Sequence, residues 1–269
     1  MPRRMSRFFQ PGRNIERLVD NSFRAISEGS YDTGHSDTHD CLSLIKAIRA
    51  CAHAPLITEI KFSSPSQGKI RPTSPPSSIA ATMVSSGAVA LSVLTQPYLF
   101  EGSIEYLASI RKQVNVPLIM KDVVVSRVQV DAGKNAGADC VLLIKTIFER
   151  NLAEESLESL KEYATRKGLQ VLVEAHTETE FAELLRLRPE ILGINNRNLD
   201  SLKVDIQNTE RLLSAHSKGK CIIVSESGIS TAADIAYLRK AGADAFLVGT
   251  SIMESADVAD KVRELYGAL

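Results

Sequence analysis

The sequence contains no tryptophan, only four cysteines and no excess of either charge: 32 Lys and Arg stand against 32 Asp and Glu. A balanced chain has no global field to draw in nucleic acid or an anionic membrane surface, so neither is expected as a partner. No apolar run approaches the roughly 18 residues needed to cross a bilayer. The basic start, MPRRMSRFFQPGR, lacks a following apolar region and does not read as a secretory signal. Cys41, Cys51, Cys140 and Cys221 show no C-x-x-C pairing, and two of them fall inside apolar strand candidates, where a thiol behaves as a small hydrophobe. A reduced, cytoplasmic setting is expected. One short stretch, GHSDTHDC, gathers His35, Asp37, His39, Asp40 and Cys41. Its Gly, Ser, Asp and Thr argue for a solvated connector rather than a metal-binding helix.

What remains is an ordinary globular composition, 44% hydrophobic and 24% charged over 269 residues, enough for one α/β barrel or two smaller domains. Residues 14–53 carry two helical stripes, Ile15, Leu18, Val19 and Phe23, then Leu42, Leu44, Ile45, Ile48 and Ala52, joined by the polar segment 30–40. No strand pattern occurs there, so 1–54 reads as a helical extension that packs on the remainder of the chain.

From residue 55 the texture changes. Short apolar runs alternate with amphipathic stretches: LITEIKF (56–62), AVALSVLT (88–95), VPLIMKDVV (116–124), ADCVLLI (138–144), LQVLVEAH (169–176), EILGINN (190–196), CIIVSES (221–227) and AFLVGTS (245–251). Continuously apolar interiors suit strands covered on both faces. Several intervening helices stop at Gly, at 87, 137, 168 and 242, and the phrase AGAD occurs at 136–139 and again at 241–244. Eight strand-then-helix units predict a single (βα)8 barrel over 55–269. An open doubly wound sheet would carry a glycine-rich turn after its first strand, and Ser64-Pro65-Ser66 is not one.

In such a barrel the chemistry sits at the C-terminal strand ends. Reading those ends gives Glu59 and Lys61, Lys121 and Asp122, Lys145, Glu174 and His176, Asn195 and Arg197, Ser225, Glu226 and Ser227, then Gly249 and Thr250. Glu59 and Lys61 lie two residues apart, so both point to the same face of a strand. That arrangement fits an acid–base site, with a structural ion pair as the plain alternative. Asp122 falls on the opposite face from Lys121 and reads as structural. The small residues of VSESGIS and LVGTS leave backbone N–H groups open to a ligand, as in the phosphate site of many barrels; the plain alternative is tight turns.

The stretches EIKFSSPSQGKIRP, LSVLTQPYLFEGSIEYL, LIMKDVVV, GADCVLLI, VLVEAH, GINNRNL, VSESGI and LVGTSIM together resemble the indole-3-glycerol-phosphate synthase family, from Ile57 to Gly267. The resemblance implies a cofactor-free and metal-free lyase of tryptophan biosynthesis. Its substrate would be 1-(2-carboxyphenylamino)-1-deoxyribulose 5-phosphate, closed to indole-3-glycerol phosphate with loss of carbon dioxide and water. It implies Lys121 as the general acid of condensation, Glu174 as the second acid–base group, and Lys61 as a substrate-contacting acid. Glu59 and Asn195 would hold these groups in geometry, and Arg197 would bind substrate. Ser64 would lie near the departing carboxylate, with Ser227, Gly228, Gly249 and Thr250 around the phosphate. It further implies that the extension lies near the catalytic mouth, and it makes other tryptophan-pathway enzymes candidate partners.

The chain departs from the family's common pattern at Val123, where an aromatic is frequent; Phe100, Leu142 and Leu199 are the candidates for the remaining apolar slot. Lys145 occupies a commonly apolar strand end and is expected to turn outward, and Ser63 replaces a frequently basic residue. Two rivals stand beside this reading: a phosphate-binding barrel isomerase, and a non-catalytic barrel subunit. The combination of Glu59, Lys61, Lys121 and Glu174 argues against both.

Overall fold

The computed structural model describes residues 14–36, 39–64, 68–72 and 74–269; the basic start, Asp37 and Ser66 lie outside them. Eight parallel strands form a closed barrel: β1 (Leu56–Ile60), β2 (Ala90–Leu94), β3 (Leu118–Lys121), β4 (Cys140–Ile144), β5 (Gln170–Ala175), β6 (Ile191–Asn195), β7 (Ile222–Glu226) and β8 (Ala245–Val248). Each pairs with its neighbour in sequence, and β1 closes on β8 with Leu56 beside Phe246. All eight fall inside the apolar runs read from the sequence.

Two helices precede the barrel, α1 (Asn14–Ser27) and α2 (Leu44–Ala50). The rest come after the strands: α3 (Pro76–Ser85), α4 (Pro97–Phe100), α5 (Ile104–Arg111), α6 (Arg127–Asn135), α7 (Lys145–Glu149), α8 (Leu157–Arg166), α9 (Glu178–Arg186), α10 (Gln207–Ala215), α11 (Ala232–Ala241), α12 (Thr250–Met253) and α13 (Val258–Tyr266). Local chemistry sets many of their bounds. Thr177 and Thr231 open α9 and α11 with reciprocal capping boxes to Glu180 and Asp234. Gly242, at φ 109°, ends α11 in a conformation that suits a residue without Cβ. The short helices α4, α7 and α12 and a two-stranded hairpin pairing Ser63–Ser64 with Gly68–Lys69 carry too few residues to leave a periodic signal.

Apolar side chains pack in two layers. One joins the outer strand faces to the helices; the other fills the barrel with residues such as Ile57, Ile119, Leu142, Leu172, Val224 and Leu247. Ile15, Leu18 and Val19 of α1 and Leu44 and Ile48 of α2 join this inner layer.

The extension runs as a strap from one end of the barrel to the other. At the C-terminal end, Asn14 donates to the Asp200 carbonyl, and Arg150 pairs with Glu16 at 3.2 Å. The Tyr31 hydroxyl donates to Asp122 Oδ2 at 2.8 Å, just past β3. At the opposite end His39 meets Asp139 at 2.9 Å, and the Leu44 N–H donates to the Gln170 side chain at the start of β5. The expected solvated connector is thus corrected in part: Gly34, Ser36 and Asp40 are exposed, but His35, His39 and Cys41 bond to Glu105, Asp139 and the Ala138 carbonyl of the barrel. His39, Cys41 and Asp139 do converge. Asp139, however, already accepts from Arg111 and from the Leu42 and Leu118 N–H groups, and the Lys134 ammonium lies 3.2 Å from Cys41 Sγ. Two cations and two backbone donors make this cluster a latch between strap and barrel.

Candidate active site

A cavity of about 530 Å³ opens at the C-terminal strand ends, within the size range of small-molecule sites. Its floor is charged. Lys61, one residue past β1, places Nζ 2.7 Å from Glu59 Oε2. From the end of β3, Lys121 Nζ lies 3.4 Å from Glu174 Oε2 on β5. The other Glu174 oxygen accepts from Asn195 Nδ2 at 2.9 Å, and Asn195 Oδ1 accepts from the Arg197 N–H at 2.9 Å. One relay therefore links β3, β5 and β6 and the loop after β6. The Arg197 guanidinium donates to the Leu202 carbonyl at 3.0 Å, which folds that loop inward.

Burial and neighbouring charge then set the protonation states. Burial opposes the Lys121 ammonium, but Glu174, Glu226 and Glu59 outweigh it and hold the group charged, with its pKa above the ordinary lysine value. Burial would likewise raise Glu59; Lys61, Lys121 and Arg197 reverse this and keep it ionised. Glu226, at the end of β7, differs. Burial and the adjacent Glu174 push its pKa well above the usual carboxylate range, and its Oε1 lacks a hydrogen-bond partner. The site thus contains carboxyls of opposite tendency, Glu59 drawn down and Glu226 pushed up, around the paired ammonium groups of Lys61 and Lys121.

Two glycines make room for these carboxyls. A Cβ on Gly193 of β6 would overlap Glu226 Oε1, and one on Gly249, just after β8, would overlap Glu59. Along the rim, Ser227 and Gly228 both take left-handed backbone conformations, at φ 70° and 83°, and turn the chain sharply after β7. They line the cavity with Gly249, Thr250 and Ser251 at the start of α12. Asn196 fixes this turn by donating to the Ser227 carbonyl at 3.1 Å.

Of the residues read from the sequence, Glu59, Lys61, Ser64, Lys121, Glu174, Asn195, Arg197, Ser227, Gly228, Gly249 and Thr250 all border this one cavity, as do Phe100 and Leu199. Leu142 does not. It is fully buried in the inner layer of the barrel, and Ile144, two residues further along the same face of β4, lines the cavity in its place. Strand periodicity gives the face of a residue but not its depth.

Lys145 turns away to pair with Glu183 at 2.9 Å and Glu149 at 3.3 Å. His176 bonds the Asn195 carbonyl. Asp122 is buried among Thr95, Tyr31, Gln129 and the Val123 N–H, and burial pushes its pKa up to about 6 despite those donors. Glu226 was visible in the sequence as a strand-end residue, but only its unpartnered oxygen and its carboxylate neighbours mark it out. Asn14, Arg17 and Leu18 of α1 also line the cavity, and an amphipathic stripe could not have said which surface it would cover.

Residues 17–265 match the family model described as indole-3-glycerol phosphate synthase. The chain is 42% identical over 227 residues to a protein of that name from Methanocaldococcus jannaschii, covering 83% of this chain and 82% of the relative. It is 40% identical over 213 residues to one from Oceanobacillus iheyensis, covering 79% and 80%. Among solved structures, an N-acetylmannosamine-6-phosphate 2-epimerase from Clostridium perfringens superposes with a TM-score of 0.57 at 15% identity, covering 81% of this chain and 93% of that one. A thiamine phosphate pyrophosphorylase from Pyrococcus furiosus gives 0.58 at 17%, covering 80% and 94%. At such identities these two speak for the fold alone.

Proposed function

The chain belongs to the indole-3-glycerol phosphate synthase family, and on that premise we propose that its cavity closes the indole ring by general acid–base catalysis without a cofactor. The observation that carries this reading is the Lys121 ammonium, buried at the cavity floor among Glu174, Glu226 and Glu59. Attack of the aromatic carbon on the substrate ketone builds negative charge on the ketone oxygen. A fixed ammonium stabilises that charge and supplies the proton that makes the oxygen a hydroxyl. Loss of carbon dioxide returns its electron pair to the ring. Dehydration then needs a second proton on the departing hydroxyl and a base for a proton on the adjacent ring carbon beside the nitrogen.

Lys61 supplies that second proton, and Glu174, oriented by Asn195, takes the last one. Two protons enter and one leaves, which balances conversion of a carboxylate to carbon dioxide. Glu59 holds Lys61 in place. Glu226, whose pKa burial and Glu174 push upward, shares the same floor. Arg197 and Ser64 bind the anthranilate carboxylate, Phe100, Leu199 and Ile144 flank the ring, and the turn at Ser227 and Gly228 with Gly249 and Thr250 takes the phosphate. In this division of the chain, residues 1–54 are a covering extension and 55–269 the catalytic barrel. Among the described residues no helix is long and apolar enough to cross a membrane.

Indole fluorescence tests the proposal directly. The chain has no tryptophan, so emission that develops on adding the carboxyphenylamino-deoxyribulose phosphate would come from product. A folded protein that gives no such signal would end the synthase reading.

A further inference from the structure

The cavity is lined by four cationic side chains, and three of them are engaged. Lys61 is paired with Glu59, Lys121 with Glu174, and Arg197 donates to the Leu202 carbonyl. The fourth is Arg17. It projects from α1 at the mouth, is exposed, and has no hydrogen-bond or ion-pair partner among the described residues. Its neighbours anchor the helix: Asn14 bonds the Asp200 carbonyl, Glu16 pairs through Oε1 with Arg150, and Leu18 is buried in the inner core. The helix that carries Arg17 is therefore fixed, and of its charged side chains Arg17 is the uncommitted one that lines the cavity.

A phosphorylated substrate with a carboxylate brings close to three negative charges into a cavity whose two lysines are already paired with carboxylates. An unpaired guanidinium at the entrance is the group best placed to offset them, because it need not break an existing pair. We infer that Arg17 is a substrate-capturing residue: it binds an anionic group of the incoming substrate and so couples α1 to occupancy of the site. This deepens the proposed function and rests on it. The shared chemistry is an anion, either the phosphate or the carboxylate.

The test compares wild type with Arg17→Ala, Arg17→Lys and Arg17→Glu, measuring turnover and, separately, binding of indole-3-glycerol phosphate by its own fluorescence. An arginine-to-anion contact predicts that Arg17→Ala raises KM by about tenfold with little change in kcat. Arg17→Lys should recover most of that loss, and Arg17→Glu should exceed it. Wild-type KM should also climb more steeply with salt than that of Arg17→Ala. The product has no carboxylate, so weaker product binding in Arg17→Ala assigns the contact to phosphate, and unchanged product binding with a raised KM assigns it to the carboxylate. Either result supports capture. KM and product affinity both within about twofold of wild type in all three variants would overturn it, as would equal effects of Ala, Lys and Glu. Wild type that neither turns over substrate nor binds product would instead refute the synthase reading itself.

Discussion

Gly193 leaves the space that the Glu226 carboxyl occupies: a Cβ on β6 at that position would overlap Glu226 Oε1 and press on Leu172. Gly193→Ala therefore sets a methyl group against a buried acid with no room to retreat. Overpacking of this kind costs about 1–3 kcal/mol. The expected outcome is a fall of several degrees in Tm together with a loss of kcat larger than the loss of substrate affinity. Calorimetry and steady-state kinetics on the same preparation check both.

Lys121 carries the heaviest chemical assignment. Lys121→Ala is expected to lower kcat by about a thousandfold, the scale of a lost general acid. Circular dichroism should show the barrel intact, because only the tip of the side chain meets Glu174. Indole emission under single-turnover conditions separates this from weaker binding. Activity within tenfold of wild type would remove Lys121 from its role.

Asp122 gives a pH signature. Burial raises its pKa to about 6 in the folded protein, whereas an unfolded aspartate titrates near 4. The folded state thus binds this proton more tightly. The group favours folding below about pH 4, and that contribution is lost as the pH rises from about 4 to 6, by about 3 kcal/mol. Asp122→Asn does not titrate, so the stability of wild type relative to the variant should decline across that window. Urea unfolding at pH 4, 5 and 6 measures the difference; a constant gap would contradict the assignment.

Tyr31 ties the strap to β3 through the same carboxyl and also accepts from Gln129 Nε2 at 3.3 Å. Tyr31→Phe keeps the ring and deletes the hydroxyl, at a cost of about 1–2 kcal/mol. Amide exchange should quicken in α1 and its following turn ahead of the barrel strands, and KM should rise modestly as α1 loosens over the mouth. Uniform acceleration throughout the chain would mean that the strap is not a separate unit of stability.

How far the sequence could be read depended on where the information resides. The eight strands were legible because burial on both faces leaves an unbroken apolar run, and the floor residues were legible because charges such as Glu59 and Lys121 interrupt those runs at one end. Leu142 was misplaced because side chains two apart on a strand share a face yet differ in height, and only closure of the barrel decides which reaches the cavity. Glu226 needed its surroundings: a carboxyl's pKa rises through the company of Glu174 and the loss of water, neither of which is written in VSES. Arg17 is one of many arginines until the helix beneath it is docked.

The strap also has a consequence in time. Its anchors lie far along the chain: 91 residues separate Tyr31 from Asp122, and 126 separate Leu44 from Gln170. At a synthesis rate of about 5–20 residues per second, the first helix waits several seconds or more for the strands that receive it. During that interval an amphipathic segment stands without its apolar partner, and β1 waits longer still for β8. Helix α1 and the turn after it, made before the strands that receive them, are therefore among the last parts to be secured, and a nascent chain of this protein is exposed there to misassociation and to chaperone capture.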